Sequence, residues 1–160
     1  MSETGLDIDQ YTLKIDRLLN APRAAVWRCW TEVDLFRQWF CPAPWKVPEA
    51  DFDLRPGGRM NCVMAGPQGE RIENTGIWLE IVRPTRLVFT DAFSENYMPR
   101  PDPFMTGFVE LSVADQGATH MVWGARHATE AAMRQHLEMG FEEGWHAAAD
   151  QLDRLAQEIA

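Results

Sequence analysis

Two ionisable side chains in this sequence occupy strand positions that direct them toward apolar neighbours. By the two-residue period of a β-strand, His127 shares an apolar face with Trp123, and Asp91 shares a face with Phe89. An imidazole and a carboxylate aimed into an apolar pocket could orient a ligand or act as acid and base. The alternative, which we favour, is that both lie at strand ends and bond to backbone or solvent.

The spacing of the histidines and the absence of known motifs argue against a metal site or a catalytic nucleophile. His120 and His127 are seven residues apart on one strand and point to opposite faces, whereas His136 and His146 lie about 280° apart around a helix. No HxxxH or Cys/His cluster is present, so we expect no metal site. GxSxG, GxGxxG and P-loop patterns are also missing, so we expect neither a serine nucleophile nor a bound cofactor.

The charge balance limits the classes of partner. The 160 residues carry 24 acidic and 15 basic side chains, a net charge of −9, which disfavours nucleic acid and anionic membrane surfaces. No apolar run approaches the roughly 20 residues of a membrane span, and the first residues lack the features of a secretory signal. Three cysteines without a CxxC pair fit a reducing compartment. We therefore expect a cytoplasmic protein with no nucleic-acid or membrane partner.

The periodicity of apolar residues predicts a strand, two short helices and then a run of strands. The first strand covers 11–19. Asn20 is a candidate cap for the next helix, Pro22 fits its first turn, and Thr31 is a candidate cap for a second short helix over 31–38. Short turns imply an antiparallel meander. Its strand segments are 47–54, 59–65, 71–82, 86–93, 105–114 and 118–127.

The C-terminal residues change to a helical period. Apolar side chains recur every three or four residues from Met133 to Ile159, which predicts one helix of about eight turns capped by Thr129. Gly140 and Gly144 lie on one side of it, and we interpret them as sites of close packing against the backbone. A sheet that buries one face against such a helix leaves a wedge that can hold a pocket.

Bulky apolar side chains are unusually frequent, with seven Trp and eight Phe against two Tyr. We interpret this surplus as the lining of a pocket for a small hydrophobic or aromatic molecule. Aromatic residues in the loop 39–48 and the proline-rich segment 94–104 are candidate gates. The candidate ligand-binding residues are Trp39, Phe40, Trp45, Met60, Cys62, Trp78, Phe89, Asp91, Met121, Trp123, His127, Phe141 and Trp145.

Several short motifs occur in an order that matches a known superfamily. The clearest are Asn20-Ala21-Pro22-Arg23, Trp39-Phe40-Cys41-Pro42, Asp53-Leu54-Arg55-Pro56-Gly57-Gly58 and Glu143-Gly144-Trp145. Together they resemble the SRPBCC (START-like, helix-grip) superfamily, especially its branch related to the heat-shock protein 90 ATPase activator. The resemblance implies a single α+β domain over 1–160. Its curved antiparallel sheet of about six or seven strands, two short helices and one long C-terminal helix would enclose a cavity.

The resemblance leaves three functions open. The first, which we favour over an enzyme, is binding of a small hydrophobic or aromatic ligand in the cavity. The second is a co-chaperone that stimulates heat-shock protein 90, which makes a chaperone a candidate partner. The third is an enzyme similar to polyketide aromatase/cyclases, with His127 and Asp91 as catalytic proton carriers. Exposed edge strands and the long helix could also support a homodimer.

Overall fold

The computed structural model describes residues 11–160. The helices are α1 (Arg23–Thr31), α2 (Val33–Phe36), α3 (Glu130–Glu138) and α4 (Phe141–Ile159). The strands are β1 (Thr12–Leu19), β2 (Lys46–Phe52), β3 (Met60–Ala65), β4 (Arg71–Asn74), β5 (Ile77–Val82), β6 (Arg86–Thr90), β7 (Phe93–Ser94), β8 (Met98–Pro99), β9 (Thr106–Val113) and β10 (Thr119–Arg126).

The fold is α+β with antiparallel strands, as predicted. The strands, however, do not form one continuous meander. The main sheet has the order β1-β10-β9-β6-β5, and β2-β3-β4 and β7-β8 form smaller sheets. The first strand therefore pairs with the last strand, with Thr12 opposite Arg126. Helix α4 packs against α1 and β1 and buries its apolar face there. This arrangement confirms the helix-grip fold.

Polar side chains fix α4 to the first strand. Arg17 of β1 donates from Nη1 to the backbone carbonyl of His146 at 3.1 Å and pairs with Asp150. The backbone N–H of Asn20 donates to Asp153 Oδ1 at 2.8 Å. These contacts set the position of α4 along the sheet edge.

The predicted strand 71–82 is two strands in different sheets. Gly76 separates β4 from β5, and a Cβ placed on it would lie 2.3 Å from the carbonyl oxygen of Thr90. The backbone N–H of Gly76 donates to Asn61 Oδ1, and its carbonyl accepts from Met60 N. A single glycine is the only turn signal at this crossing, so the sequence pattern alone does not separate the two strands.

The predicted caps of the first two helices, Asn20 and Thr31, were wrong. Helix α1 begins after Pro22, which occupies the cap position with extended backbone, and no side chain caps it. Thr31 instead donates its hydroxyl to the carbonyl of Trp27 at 2.9 Å, and Glu32 occupies the cap position of α2. Helix α2 is also shorter than expected, with four residues.

The predicted C-terminal helix is interrupted at Gly140. Thr129 caps α3 as expected, through a 3.1 Å hydrogen bond from Ala132 N. Gly140 then adopts φ +90°, a left-handed conformation, and α4 begins at the next residue. The predicted close packing was wrong, because a Cβ on Gly140 meets no atom within 4 Å and one on Gly144 meets only Pro42 Cγ, at 4.0 Å. Backbone conformation, not space, requires glycine at 140.

This difference predicts opposite effects of alanine at the two glycines. Gly144→Ala should stabilise the protein by about 0.5–1 kcal/mol, because it lies inside α4 with room for a methyl group. Gly140→Ala should destabilise it by about 1 kcal/mol, because an L-residue is strained at positive φ. Urea unfolding measures both. A Gly140→Ala protein as stable as Gly144→Ala would contradict the break between the helices.

Candidate functional site

Aromatic rings fill the space between the main sheet and α4. Trp30 of α1 lies at their centre, with ring centroids 4.7 Å from Trp39 and 5.1 Å from Trp123, both in edge-to-face geometry. We call the following contiguous set the aromatic core: Trp30, Phe36, Trp39, Phe40, Phe52, Trp78, Phe89, Trp123, Phe141 and Trp145. The predicted aromatic lining is therefore brought together, but as packed rings.

Aromatic side chains fill the region where a pocket was expected. Two clefts that the described residues form lie elsewhere. One, of about 300 Å³, runs along the three-stranded sheet beside Asn61 and Asn74. The other, of about 180 Å³, lies on the outer face of the main sheet beside Phe108 and Lys14. A ligand that enters between sheet and helix must therefore displace a side chain.

A glutamine of α4 holds the aromatic loop after α2. Gln151 donates from Nε2 to the carbonyls of Trp39 and Cys41 at 2.9 and 2.8 Å, and its Oε1 accepts from Ala43 N at 2.9 Å. The indole N–H of Trp39 donates to the carbonyl of Cys29 at 2.8 Å. The loop is thus tied to both α4 and α1.

Trp145 lies near the break between α3 and α4, one turn beyond Phe141. It stacks on Trp123, with centroids 4.1 Å apart and planes inclined by 22°. Unlike Trp123, which is 2% exposed, Trp145 is only partly buried. It lies in the second turn of α4, five residues after Gly140. Trp145 therefore occupies a flat slot on Trp123 at the edge of the core.

Four buried indole N–H groups have no hydrogen-bond acceptor among residues 11–160. They belong to Trp27, Trp30, Trp78 and Trp123. Such a donor costs about 1–3 kcal/mol when it is buried without a partner, and native structures contain few of them. The core thus holds several polar atoms that its own side chains leave unsatisfied.

At the end of β10, two buried histidines form a hydrogen-bonded pair. His127 Nε2 and His136 Nδ1 are 3.0 Å apart, and His127 Nδ1 lies 2.7 Å from the carbonyl oxygen of Tyr11. Each histidine is 7% exposed. Burial, and secondarily the neighbouring His127, lowers the pKa of His136 to about 4. The His136 imidazole is therefore uncharged near neutral pH.

The two predicted proton carriers are separated. Asp91 accepts hydrogen bonds from Phe104 N at 2.9 Å and Met105 N at 3.1 Å. It thus secures the strand end by bonding to backbone, which is the alternative favoured above. His127 faces inward, as the strand period predicts, but its partner is His136 and not Asp91. The Phe104 ring, 5.7 Å from that of His127, belongs to the residue whose backbone Asp91 holds.

The remaining predicted residues lie in or against the core. Met121 is fully buried in the core, and Met60 and Trp45 are partly buried against the core. Burial raises the pKa of the Cys62 thiol to about 11, although Asn74 Nδ2 lies 3.9 Å from its sulfur. Burial likewise raises the pKa of Cys41 to about 12. These thiols are protonated near neutral pH and behave as small apolar groups.

Sequence reasoning missed His136 and Gln151. The helical period placed His136 and His146 on the same predicted helix. The side chain that His136 contacts is instead His127, nine residues earlier. The chain reverses between them, and only the Thr129 cap hinted at where α3 starts. Gln151 is one of many polar residues on an amphipathic helix, so nothing in its type or spacing distinguishes it.

Metal coordination and membrane insertion are two further possibilities for the part of the chain that the structure describes. No group of three or more His, Cys, Asp or Glu side chains there is arranged to hold a metal ion. No helix in 11–160 is long and apolar enough to cross a bilayer.

The long helix held against a curved antiparallel sheet, with a packed aromatic interior, defines the helix-grip class of α+β proteins. Residues 20–157 match the family model described as Activator of Hsp90 ATPase homolog 1-like protein, and the chain belongs to that family. A comparison with curated proteins finds no match.

Solved structures of several bacterial proteins share this fold over nearly their whole length. A Nitrosomonas europaea protein is 38% identical, with a TM-score of 0.90 over 94% of this chain and 97% of that one. A Mycobacterium smegmatis protein is 30% identical, with a TM-score of 0.78 over 93% and 92% of the chains. An Arthrobacter aurescens protein is 25% identical, with a TM-score of 0.80 over 95% and 89%.

The buried histidine pair predicts a pH-dependent stability. The pKa of His136 in the fold lies below its ordinary value of 6.5, so between about pH 6.5 and 4 the unfolded chain binds a proton that the native state does not. Stability is therefore present above pH 6.5 and lost as the pH falls, by up to about 1.4 kcal/mol per pH unit. His136→Phe should remove this share of the slope. Urea unfolding at pH 7, 6 and 5 measures it, and parallel profiles for the two proteins would contradict it.

Proposed function

We propose that this protein binds a small, flat, largely apolar aromatic molecule that carries a hydrogen-bond acceptor. The observation that carries the proposal is the set of buried indole N–H groups without an acceptor. Two of them belong to Trp30 and Trp123, which touch at the centre of the core. A ligand oxygen within reach of either indole would recover part of the free energy that burial of the donor costs.

The stack of Trp145 on Trp123 indicates where the ligand would bind. The spacing of 4.1 Å and the inclination of 22° are those of two flat rings in contact, so a flat ligand can replace Trp145 there without loss of stacking. Such a ring contact contributes about 0.5–1.5 kcal/mol beyond its buried area, and the exchange would conserve it. The ligand would therefore bind on the Trp123 face, in the slot that Trp145 occupies.

The break at Gly140 supplies a means of opening that slot. Gly140 separates α3 from α4 with a left-handed residue, and Trp145 follows in the second turn of α4. Phe141, at the start of α4, packs against Trp145 with centroids 4.3 Å apart, so the two rings can move together. The polar ties of α4 to the rest of the fold begin beyond this point, at His146, Asp150 and Gln151. The residues of α4 before His146, which include Phe141 and Trp145, can thus shift while the remainder of the helix stays fixed.

Membership of the activator family supports this proposal at the level of class. The SRPBCC superfamily to which the motifs point includes carriers of hydrophobic molecules, and the interior of this chain is apolar with isolated polar atoms. A cytoplasmic location fits three buried free cysteines.

The proposal predicts that coumarin binds about tenfold more tightly than naphthalene. The two molecules are similar in size and flatness, but only coumarin has a carbonyl oxygen to accept from an indole N–H. Quenching of tryptophan fluorescence gives the dissociation constants, and the rise in Tm provides a second measurement. Trp123→Phe keeps a ring for stacking but removes the N–H, so it should abolish the preference for coumarin.

Trp27→Phe is the matched control. It removes another unpartnered indole N–H, from a ring that lies under Arg83 and not at the slot, so the preference should persist. Naphthalene and coumarin that neither quench fluorescence nor raise the Tm would refute binding in the core. Equal affinities of the two would refute the role of the indole donors.

A second candidate function is stimulation of a heat-shock protein 90 ATPase, which the match to the activator family over 20–157 supports. The protein should then raise the ATPase rate of heat-shock protein 90 from the same cell severalfold at saturating concentration. A steady-state ATPase assay measures this, with the chaperone's specific inhibitor as background. No stimulation at a tenfold molar excess would exclude the activity.

A further inference from the structure

We propose that the His127–His136 pair forms a recognition site for a ligand hydroxyl group, so that the protein selects phenols among flat aromatic molecules. His136 Nε2 is the atom that would accept the hydrogen bond. This inference rests on the proposed function, because it assumes that an aromatic ring replaces Trp145 on Trp123. It adds the polar group by which one class of aromatic ligand is distinguished from another.

The hydrogen-bond pattern fixes where each proton of the neutral pair lies. A carbonyl oxygen can only accept, so His127 Nδ1 must carry the proton that it donates to Tyr11 O. The Nε2 of a neutral His127 then has a lone pair, and His136 Nδ1 must be the donor across the 3.0 Å contact. His136 Nε2 is left with a bare lone pair, and no described residue donates to it.

The surroundings of His136 fit an aromatic ring. Its imidazole centroid lies 4.8 Å from that of Phe104, 5.0 Å from Phe141 and 5.5 Å from Trp145. The residue is 93% buried, since only 7% of its surface is exposed. A ligand ring in the position of Trp145 would thus stack on Trp123 and lie about 5.5 Å from the His136 imidazole, whose plane is inclined by 71° to it. A hydroxyl directed at that imidazole would donate to His136 Nε2, and its oxygen could also accept from an indole N–H.

The histidine pair presents a hydrogen-bond acceptor that is only a weak base. The low pKa of His136 means that a phenol would remain protonated and share its hydrogen, not transfer it. The neighbouring His127 holds the acceptor tautomer in place, since the alternative tautomer of His136 would set two lone pairs against each other. His127 is therefore a positioning residue, and His136 is the residue that contacts the ligand.

Selectivity would come from the lone pair on His136. An aromatic hydroxyl satisfies it, whereas the oxygen of a methyl ether brings a second lone pair against it. A buried hydrogen-bonding site commonly rejects an analogue that cannot pair with it, because its own polar atom is then left unsatisfied. The pair should therefore discriminate between a phenol and its methyl ether on the same ring.

The test compares 1-naphthol, 1-methoxynaphthalene and naphthalene by isothermal titration calorimetry near neutral pH. We expect 1-naphthol to bind about tenfold more tightly than 1-methoxynaphthalene. In His136→Phe, which keeps a ring in place but has no acceptor, the two affinities should come within about twofold. His120→Gln, on the exposed outer face and paired with Asp16, is the matched control and should keep the tenfold preference.

His127→Leu separates the proposal from a purely structural role of the pair. Without His127, the proton of His136 can move to Nε2, which can then donate to an ether oxygen. Binding of 1-methoxynaphthalene should therefore improve, while that of 1-naphthol does not, and the preference should fall toward unity. A merely destabilised site would lose affinity for both probes in parallel.

Tautomer assignment by long-range ¹H–¹⁵N NMR of the free protein needs no ligand. It should show His127 and His136 both protonated at Nδ1, and His136 protonated at Nε2 would overturn the proposal. Equal affinity of the wild-type protein for 1-naphthol and 1-methoxynaphthalene would overturn it as well, while naphthalene binding would leave the proposed function standing. If none of the three probes binds, both proposals fail together.

Discussion

The packing of Trp30 against Trp39 and Trp123 is the contact on which the rest of the structure depends. It joins α1, the loop after α2, and β10, which are far apart in the chain. Large rings in this space impose small residues around them: a Cβ on Gly107 of β9 would lie 2.4 Å from the Phe89 ring. Removal of a ring of this size from a closed interior typically costs about 3–5 kcal/mol. The glycine at position 107 is thus a consequence of the aromatic core.

The tryptophan rings of this core also carry indole N–H groups, which are polar. Trp39 has found an acceptor in the carbonyl of Cys29, but the indoles of Trp30 and Trp123 have none among the described residues. Phenylalanine would fill much of the same volume without that cost. In the proposed function, an acceptor carried by the ligand would offset part of that cost.

Strand and helix periods predicted much of this arrangement. They directed Trp123 and His127 inward and gave α4 its apolar face, because burial on one side of an element leaves a direct trace in the sequence. They missed the break at Gly140, since the helical period continues on both sides of one left-handed residue. They also missed the pairing of His127 with His136, because that contact depends on how the chain turns before α3 and leaves no periodic signal.

In the proposed function, Trp145 links the packed interior to the choice of ligand. Its ring stacks on Trp123 and its centroid lies 5.5 Å from that of His136, so one side chain lies against both the stacking surface and the histidine pair. A molecule that replaces it must satisfy both neighbours at once. A saturated ring would fill the volume but lose the face contact, and an unsubstituted aromatic ring would leave the polar atoms unpaired. The geometry therefore favours a flat ring with a polar group on one edge, which is a description of the indole of Trp145 itself.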